Sequence, residues 1–596
     1  MTPTRRPVAR SGSRWRGSSE LRLRVGLIVI AMVISVFGAR LVQLQGLDPK
    51  AYAAKANAEG LVSIPLPATR GAILDRNGAP LAESVSGLMI VGDPTRTDAH
   101  AEDIARILAT RLHLDYFDLL SRLRKDPSKP GARFAYVARR VPATLAREAV
   151  SEVEKAGFKG LDTRVDPVRD YPGGDVAANL VGYMKADGQA DTGGGLERSF
   201  DTMLAGKDGQ ETYEVGGGNR IPLGENTEVK PVNGKNLSLT IDRDVQWYAQ
   251  RVLRTAVQGA NAESGAAVAL DSRTGDILAL ADYPTFDANA PGQAKDADLG
   301  SRALSDVYEP GSVAKVLTMA GLIDEGKVSP RTKVKVPKDL PVADRVIHDY
   351  FPHDTLRLTL AGVIAKSSNI GTVLAARQYQ QGELWKYMDA FGLGHRTDVG
   401  LPGETRGLLP SPPWSELTQA TASFGQGISV NALQMATAVN AIANGGELIT
   451  PSLIKGRAVT STGQVVGTDT ATRRRVVSQQ AAEKVSRMME MVTTEGAGTA
   501  PGAGIAGYRV AGKTGTAQQA GATCKCYDGS LAVSFAGFAP ADNPRFTVYV
   551  VIQKPQGSAS GGGTAGPVFR KILAYLLQKY AVPPTNTPPA RLPVEW

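Results

Sequence analysis

Three short clusters in this 596-residue chain hold side chains suited to acyl transfer: Ser312-Val-Ala-Lys315, Ser367-Ser-Asn369 and Lys513-Thr-Gly-Thr516. A serine hydroxyl is a poor nucleophile until a neighbouring base takes its proton. Ser312 follows Glu309-Pro310-Gly311, a helix-start signature, and precedes VAKVLTMAGLIDEG, which reads as an amphipathic helix. Residues i and i+3 share a helix face, so the Lys315 amine can approach the Ser312 hydroxyl. None of the five histidines stands in a suitable context, which leaves a lysine desolvated enough to lose its proton as the natural base. A helix N-terminus would add N–H groups and a positive dipole end facing an oxyanion. Ser367 and Asn369 precede another helical pattern, where a hydroxyl and a carboxamide could relay a proton and grip an amide. Lys513 and the hydroxyls of Thr514 and Thr516 suit a carboxylate, and Gly515 would let a substrate backbone approach closely.

Each cluster also has a plainer reading. Ser312 and the Ser367–Asn369 group are good helix caps, and Lys513–Thr516 could be an exposed strand end. The chain holds a second S-x-x-K at Ser452–Lys455 and a second S-x-N at Ser429–Asn431, so single matches carry little weight. Lys-Thr-Gly occurs once, and the order of the three clusters in one chain is what gives them meaning.

The surrounding pattern supplies elements to position these groups. A domain is expected from about Lys235, opening with NLSLTID and a helical stretch at 245–257. GAAVALDSRTGDILALADYP reads as two apolar strands around a turn at Arg273–Gly275. LAVSFAGFA and RFTVYVVIQ read as two more around Asp542-Asn543-Pro544, and Gly566–Tyr580 as an amphipathic helix. Strands at both ends with helices between predict an α+β domain with an antiparallel sheet over 235–581. Residues 46–234 form an expected elongated, mixed pedestal, with a hairpin turn at Asn77-Gly78 and a helix over 51–60. The Pro-rich end, 582–596, reads as a disordered tail.

Length suggests two or three domains, and the composition is that of a folded protein. The net charge of +10 would suit nucleic acid, but its placement argues against that. Residues 1–24 hold seven arginines against Glu20, which is +6 of the total, directly before the uncharged run Val25–Ala39. This reads as a basic cytoplasmic N-terminus and a single transmembrane helix over 25–45, with the rest of the chain outside. A span needs roughly 20 residues, and flanking arginines that snorkel to the headgroups extend the run to that length. A cleavable signal peptide is the alternative, although a clean A-x-A site is missing. Cys524 and Cys526 leave a local disulfide and free thiols both open, while a zinc site would lack two ligands.

The three clusters together match the signature of penicillin-binding proteins and class A β-lactamases. The chain resembles class B penicillin-binding proteins over nearly its whole length, and among them the septal peptidoglycan transpeptidases. The added resemblance lies in ARLVQLQ, RGAILDRNGAPLA, GLERSFDTMLAG, TGDILALADYPTFDAN and SFGQGISVNALQMATA. Ser368 stands where the signature has Asp. The resemblance implies a D,D-transpeptidase acting on peptidoglycan stem peptides through a Ser312 acyl-enzyme. Lys315 would be the base, Ser367 a proton relay, and Asn369 the holder of the substrate amide. Lys513 and either Thr514 or Thr516 would bind the terminal carboxylate, with Gly515 in the same substrate-binding stretch, and the backbone N–H groups of Ser312 and Thr516 would form the oxyanion hole. β-Lactams would be covalent inhibitors, and neither metal nor organic cofactor would be needed. No glycosyltransferase domain precedes the pedestal, so an FtsW-like SEDS glycosyltransferase and other divisome membrane proteins are the implied partners. Glu197 and Arg198 are expected to be structural, with ion pairing between domains. An elongation-type class B enzyme, a β-lactamase or carboxypeptidase, and a catalytically silent division scaffold are the competing readings.

Overall fold

The computed structural model describes residues 19–43, 61–128, 132–184, 193–216, 219–220, 226–521 and 526–596. The helix expected over 51–60 lies outside the described residues. Helix α1 (Ser19–Val42) begins six residues before the expected anchor and takes in Arg22 and Arg24. Its most apolar 18-residue stretch has a mean hydropathy of 2.5, and the helix is long and apolar enough to cross a membrane.

The chain divides into two compact units, one made of residues 1–66 and 208–231, the other of 67–207 and 232–596. In the first, Leu61–Leu66 and Asn226–Val229 pair antiparallel with opposite edges of Gly209–Gly216. Compactness thus cuts across the expected pedestal, and most of it packs as one body with the C-terminal half. Close backbone contact explains this. Leu237–Ser238 pairs in parallel with Ile73–Leu74, and a Cβ on Gly71 would stand 2.1 Å from the Lys235 carbonyl oxygen. The hairpin turn at Asn77-Gly78 forms as expected, with Gly78 at φ +87°.

A buried ion cluster fixes this part of the second unit. Glu197 is fully buried and accepts from Arg70 Nε at 2.7 Å and Arg169 Nε at 2.6 Å. Arg70 also reaches Asp201 at 2.5 Å and the Glu197 carbonyl at 2.7 Å. The expected interdomain role of Glu197 is therefore corrected: both of its arginine partners lie within 67–207. Two planar guanidinium groups satisfy one desolvated carboxylate at close range, so no interdomain partner is needed.

The C-terminal half is built on five antiparallel strands, β1 (Ser264–Asp271), β2 (Ile277–Tyr283), β5 (Ala511–Ala520), β6 (Tyr527–Ala539) and β7 (Phe546–Gln553), in the order β2-β1-β7-β6-β5. Every residue of β1 and β7 is buried, so both faces of the sheet are covered. Helices α2 (Arg243–Gly259) and α8 (Gly566–Lys579) pack on each other and on the sheet. Helices α3 (Lys315–Asp324), α6 (Ala432–Ala443) and α7 (Gln479–Thr493) form a second packed group. Helix α3 is buried on all sides from Lys315 to Ile323 rather than amphipathic. A two-stranded ladder, β3 (Lys333–Val336) with β4 (Leu356–Thr359), leads into α4 (Leu360–Ala365) and α5 (Asn369–Ala376).

The tail is the second correction. Residues 582–596 follow the domain surface in a defined path, beginning where Tyr508 Oη donates to the Val582 carbonyl at 2.6 Å. Proline removes N–H donors but leaves carbonyl acceptors, and the tail is held both through carbonyls and through the N–H groups of its non-proline residues. The structure predicts that Glu197→Ala, by leaving the buried Arg169 guanidinium without a carboxylate and Arg70 with Asp201 alone, lowers unfolding stability by about 3–5 kcal/mol. Chemical denaturation measures this, and a loss under about 1 kcal/mol would contradict the role given to the cluster.

Candidate active site

Ser312 lies in a one-turn 3₁₀ segment, Gly311–Ala314, whose end runs directly into α3. The turn is seated by close backbone contacts. Gly311 takes φ +52° and its N–H donates to the Gly425 carbonyl at 3.0 Å. A Cβ on Gly425 would meet the Gly311 carbonyl oxygen at 2.1 Å, so glycine is required there. On the other side a Cβ on Gly311 would stand 2.9 Å from the Thr516 carbonyl oxygen, which places the Ser312 turn against edge strand β5.

Lys315 starts α3 and is fully buried. Its Nζ donates to the Ser367 carbonyl at 2.6 Å and to Asn369 Oδ1 at 2.7 Å, with Ser367 Oγ at 3.5 Å. A neutral amine has two N–H groups and one lone pair. The two acceptors use both N–H groups and leave the lone pair free to take a proton. Burial lowers the Lys315 pKa to about 7, against the opposing pull of the Asp349 carboxylate. Lys513, on β5, is also fully buried and donates to Ser367 Oγ at 2.7 Å and to the Thr514 carbonyl at 3.0 Å. Burial, and then the proximity of Lys315, push its pKa well below the usual lysine value.

Ser367 joins the two lysines. It lies between α4 and α5 at φ +59°, a left-handed conformation that costs a serine about 1–3 kcal/mol. That kink ends one helix, starts the next, and turns both the carbonyl and the hydroxyl of Ser367 toward lysine ammonium positions. Its Oγ accepts from Lys513, so its own proton is free to be donated. Of the two threonines, Thr514 is buried and shares a 3.1 Å contact with Thr499 Oγ1, whereas Thr516 is exposed. A Cβ on Gly515 would overlap Ser534 Oγ at 2.2 Å, so this position has no room for a side chain.

Sequence reasoning missed Asp349. Its side chain is fully buried and accepts from Ser368 Oγ at 2.7 Å and from the N–H groups of Asn369 at 2.5 Å and Ile370 at 3.0 Å. A carboxylate at the start of α5 thus fixes the Asn369 backbone, and His353 Nε2 stands 3.2 Å behind it. No spacing signal links residue 349 to residue 369, since a loop brings them together. Glu309 was read only as part of a helix start. It accepts from Tyr527 Oη at 3.0 Å and from the Gly427 N–H at 2.9 Å.

The duplicate motifs fall elsewhere. Ser452 is 4% exposed, bonds its Oγ to the Ile454 carbonyl and pairs its backbone beside Asp276, while Lys455 Nζ points to the Arg76 carbonyl. Ser429 pairs with Leu408, and Asn431 caps α6. Cys526 is disulfide-bonded, which removes the free-thiol alternative for it; Cys524 lies outside the described residues.

Residues 265–574 match the penicillin binding protein transpeptidase domain, and residues 65–239 match the penicillin-binding protein dimerisation domain. The C-terminal half is therefore a penicillin-binding transpeptidase domain. Penicillin-binding protein PbpB of Mycolicibacterium smegmatis is 34% identical over 99% of this chain and 95% of its own length. Peptidoglycan D,D-transpeptidase FtsI of Escherichia coli is 32% identical over 95% of this chain and 93% of its own length. The crystal structure of penicillin binding protein 3 from Mycobacterium tuberculosis complexed with aztreonam superposes with a TM-score of 0.68 at 32% identity, covering 89% of this chain and all of that one. The chain belongs to the class B penicillin-binding proteins.

Acylation by penicillin is expected to rise about tenfold per pH unit below about 7 and to level off above it, as Lys315 loses its proton. Asp349→Asn removes the charge that favours the ammonium form, so the rise should move to lower pH while the plateau falls. Stopped-flow acylation across pH tests both, and a profile flat through neutrality would exclude Lys315 as the base.

Proposed function

We propose that this protein is a peptidoglycan D,D-transpeptidase that cross-links stem peptides at the division septum through an acyl-enzyme on Ser312. The observation carrying this reading is the convergence of Lys315 and Lys513 on Ser367, beside the turn that bears Ser312. Ser312 Oγ attacks the carbonyl carbon of the penultimate D-Ala, and Lys315 takes the hydroxyl proton. The oxyanion faces the backbone N–H groups of Ser312 and Thr516. As the C–N bond breaks, the leaving D-Ala amine receives a proton through Ser367, whose hydroxyl Lys513 orients. An amine from a neighbouring stem then attacks the ester, gives up its proton to the same relay, and releases Ser312. Asn369 holds the substrate amide. Lys513 and the open Thr516 hydroxyl bind the terminal carboxylate, Thr514 steadies Lys513, and Gly515 lets the peptide lie along the free edge of β5.

The septal role is supported by similarity to proteins named FtsI and PbpB. In this reading α1 anchors the chain with its arginine-rich end in the cytoplasm and the catalytic half outside. Glycan strands come from an FtsW-like SEDS glycosyltransferase acting with other divisome membrane proteins.

Mass spectrometry of the penicillin-treated protein should place the adduct on Ser312, with none on Ser452, and Ser312→Ala should abolish labelling. An adduct that water removes within seconds would instead mark a β-lactamase. A fluorescent fusion should gather at midcell; signal along the lateral wall would mean an elongation enzyme.

A further inference from the structure

The tail docks at a point that bears on the active site. After Val582 the chain is held by the Thr585 N–H on the Gly507 carbonyl at 2.8 Å, by Thr587 Oγ1 on Asp542 Oδ2 at 2.6 Å, and by the Ala590 N–H on Glu490 Oε2 at 3.3 Å. Its last residues then add to the β3–β4 ladder. The Thr359 N–H donates to the Val594 carbonyl at 3.0 Å, Glu595 pairs antiparallel with Leu358, and the Trp596 N–H donates to the Arg357 carbonyl at 3.1 Å. Trp596 Nε1 donates to the Leu358 carbonyl at 3.1 Å, and its ring lies 4.6 Å from Lys333 Nζ.

These contacts converge on Thr359, the cap of α4. Its Oγ1 accepts from the Gly362 N–H at 3.1 Å and donates to the Pro593 carbonyl. Gly362 has no room for a Cβ, which would stand 2.0 Å from the Val594 carbonyl oxygen. Helix α4 is six residues long and ends at the left-handed Ser367, whose N–H donates to the Ile364 carbonyl at 3.2 Å. A strained residue keeps its conformation only where its surroundings over-determine it. Asp349 holds the α5 side of Ser367, and the tail holds the far end of α4.

We propose that residues 593–596 are a strap that positions Ser367, so that these positioning residues act on acylation from outside the catalytic pocket. The inference rests on the Ser312 acyl-enzyme reading above, and the test separates the two. Full-length protein lacking residues 593–596 is compared with wild type for penicillin acylation, resolved into binding and acylation steps, well below its unfolding midpoint. The acylation step should slow between about ten- and a hundredfold while the binding step changes little. In a chain truncated after Ala581, a synthetic peptide of residues 582–596 added in trans should restore the rate, and a scrambled one should not. A strap that only stabilises the fold would lower the unfolding midpoint and leave the acylation step at the wild-type rate, which overturns the proposal. If the truncated chain does not fold, Trp596→Ala and the pair Thr359→Ser and Thr359→Val carry the test. Trp596→Ala and Thr359→Val should slow acylation and Thr359→Ser, which keeps the hydroxyl, should not; equal rates in all of them overturn the strap. Wild-type protein that takes no label on Ser312 overturns the underlying reading instead.

Discussion

Two lysine side chains buried side by side, Lys315 and Lys513, set the terms for everything around them. An ammonium taken out of water costs several kcal/mol even after relaxation, and two within reach of one hydroxyl repel as well. The least costly arrangement keeps at least one of them neutral, and a neutral lysine is what an unactivated serine needs. The cost of burying Lys315 is thus the source of its basicity. That cost can be borne only in a rigid apolar setting: α3 is buried on every side, and α6, which packs against it, lies on strands covered on both faces. Asp349 moderates the effect, since its carboxylate favours the ammonium form and sets a limit on how far burial shifts the group.

The same constraint explains the positions without side chains. The Ser312 turn touches β5, which brings groups from both to one place, and only backbone without Cβ atoms packs that closely. Gly311, Gly425 and Gly515 each occupy a point where a Cβ would overlap a neighbouring atom. The left-handed Ser367 is the opposite case, a non-glycine residue held against its preference because both its carbonyl and its hydroxyl are needed at the lysines.

Much of this was legible in the sequence. The sheet strands, the turns between them and α8 follow from period and turn chemistry, because those signals are local. The candidate site around Ser312 stood out only through the order of three motifs, since Ser452–Lys455 satisfies the same short pattern on a segment that pairs as extended chain. Asp349 was not legible, because its partners at 368–370 are reached across a loop and no periodicity joins them, and His353 takes its place only as a neighbour of Asp349 in that loop. Glu197 was recognised as structural but given the wrong partners, since its arginines at 70 and 169 are equally remote. The tail was misjudged for a compositional reason. Pro-rich segments rarely bury enough apolar surface to fold alone, and composition is silent about a groove that already offers donors.

That composition suits a strap. Proline restricts the free chain, so docking a Pro-rich segment forfeits less conformational entropy than docking a flexible one. Its carbonyls still accept, and the domain supplies the donors: Tyr508 Oη at the start, the Thr359 hydroxyl and N–H at the end. Between them Glu490 on α7 accepts both from the Ala590 N–H and from Arg509, at 2.6 Å, so the tail leading to the strap is tied to a helix that packs against α3 and α4. The elements at the two ends of Ser367 are therefore held by interactions of different kinds, a buried carboxylate on the α5 side and hydrogen bonds to a trailing chain on the α4 side. Ionic and backbone restraints respond differently to pH and salt, and only the carboxylate side carries a charge beside Lys315. Changes in the tail should then act on the geometry of the relay while leaving its electrostatics intact.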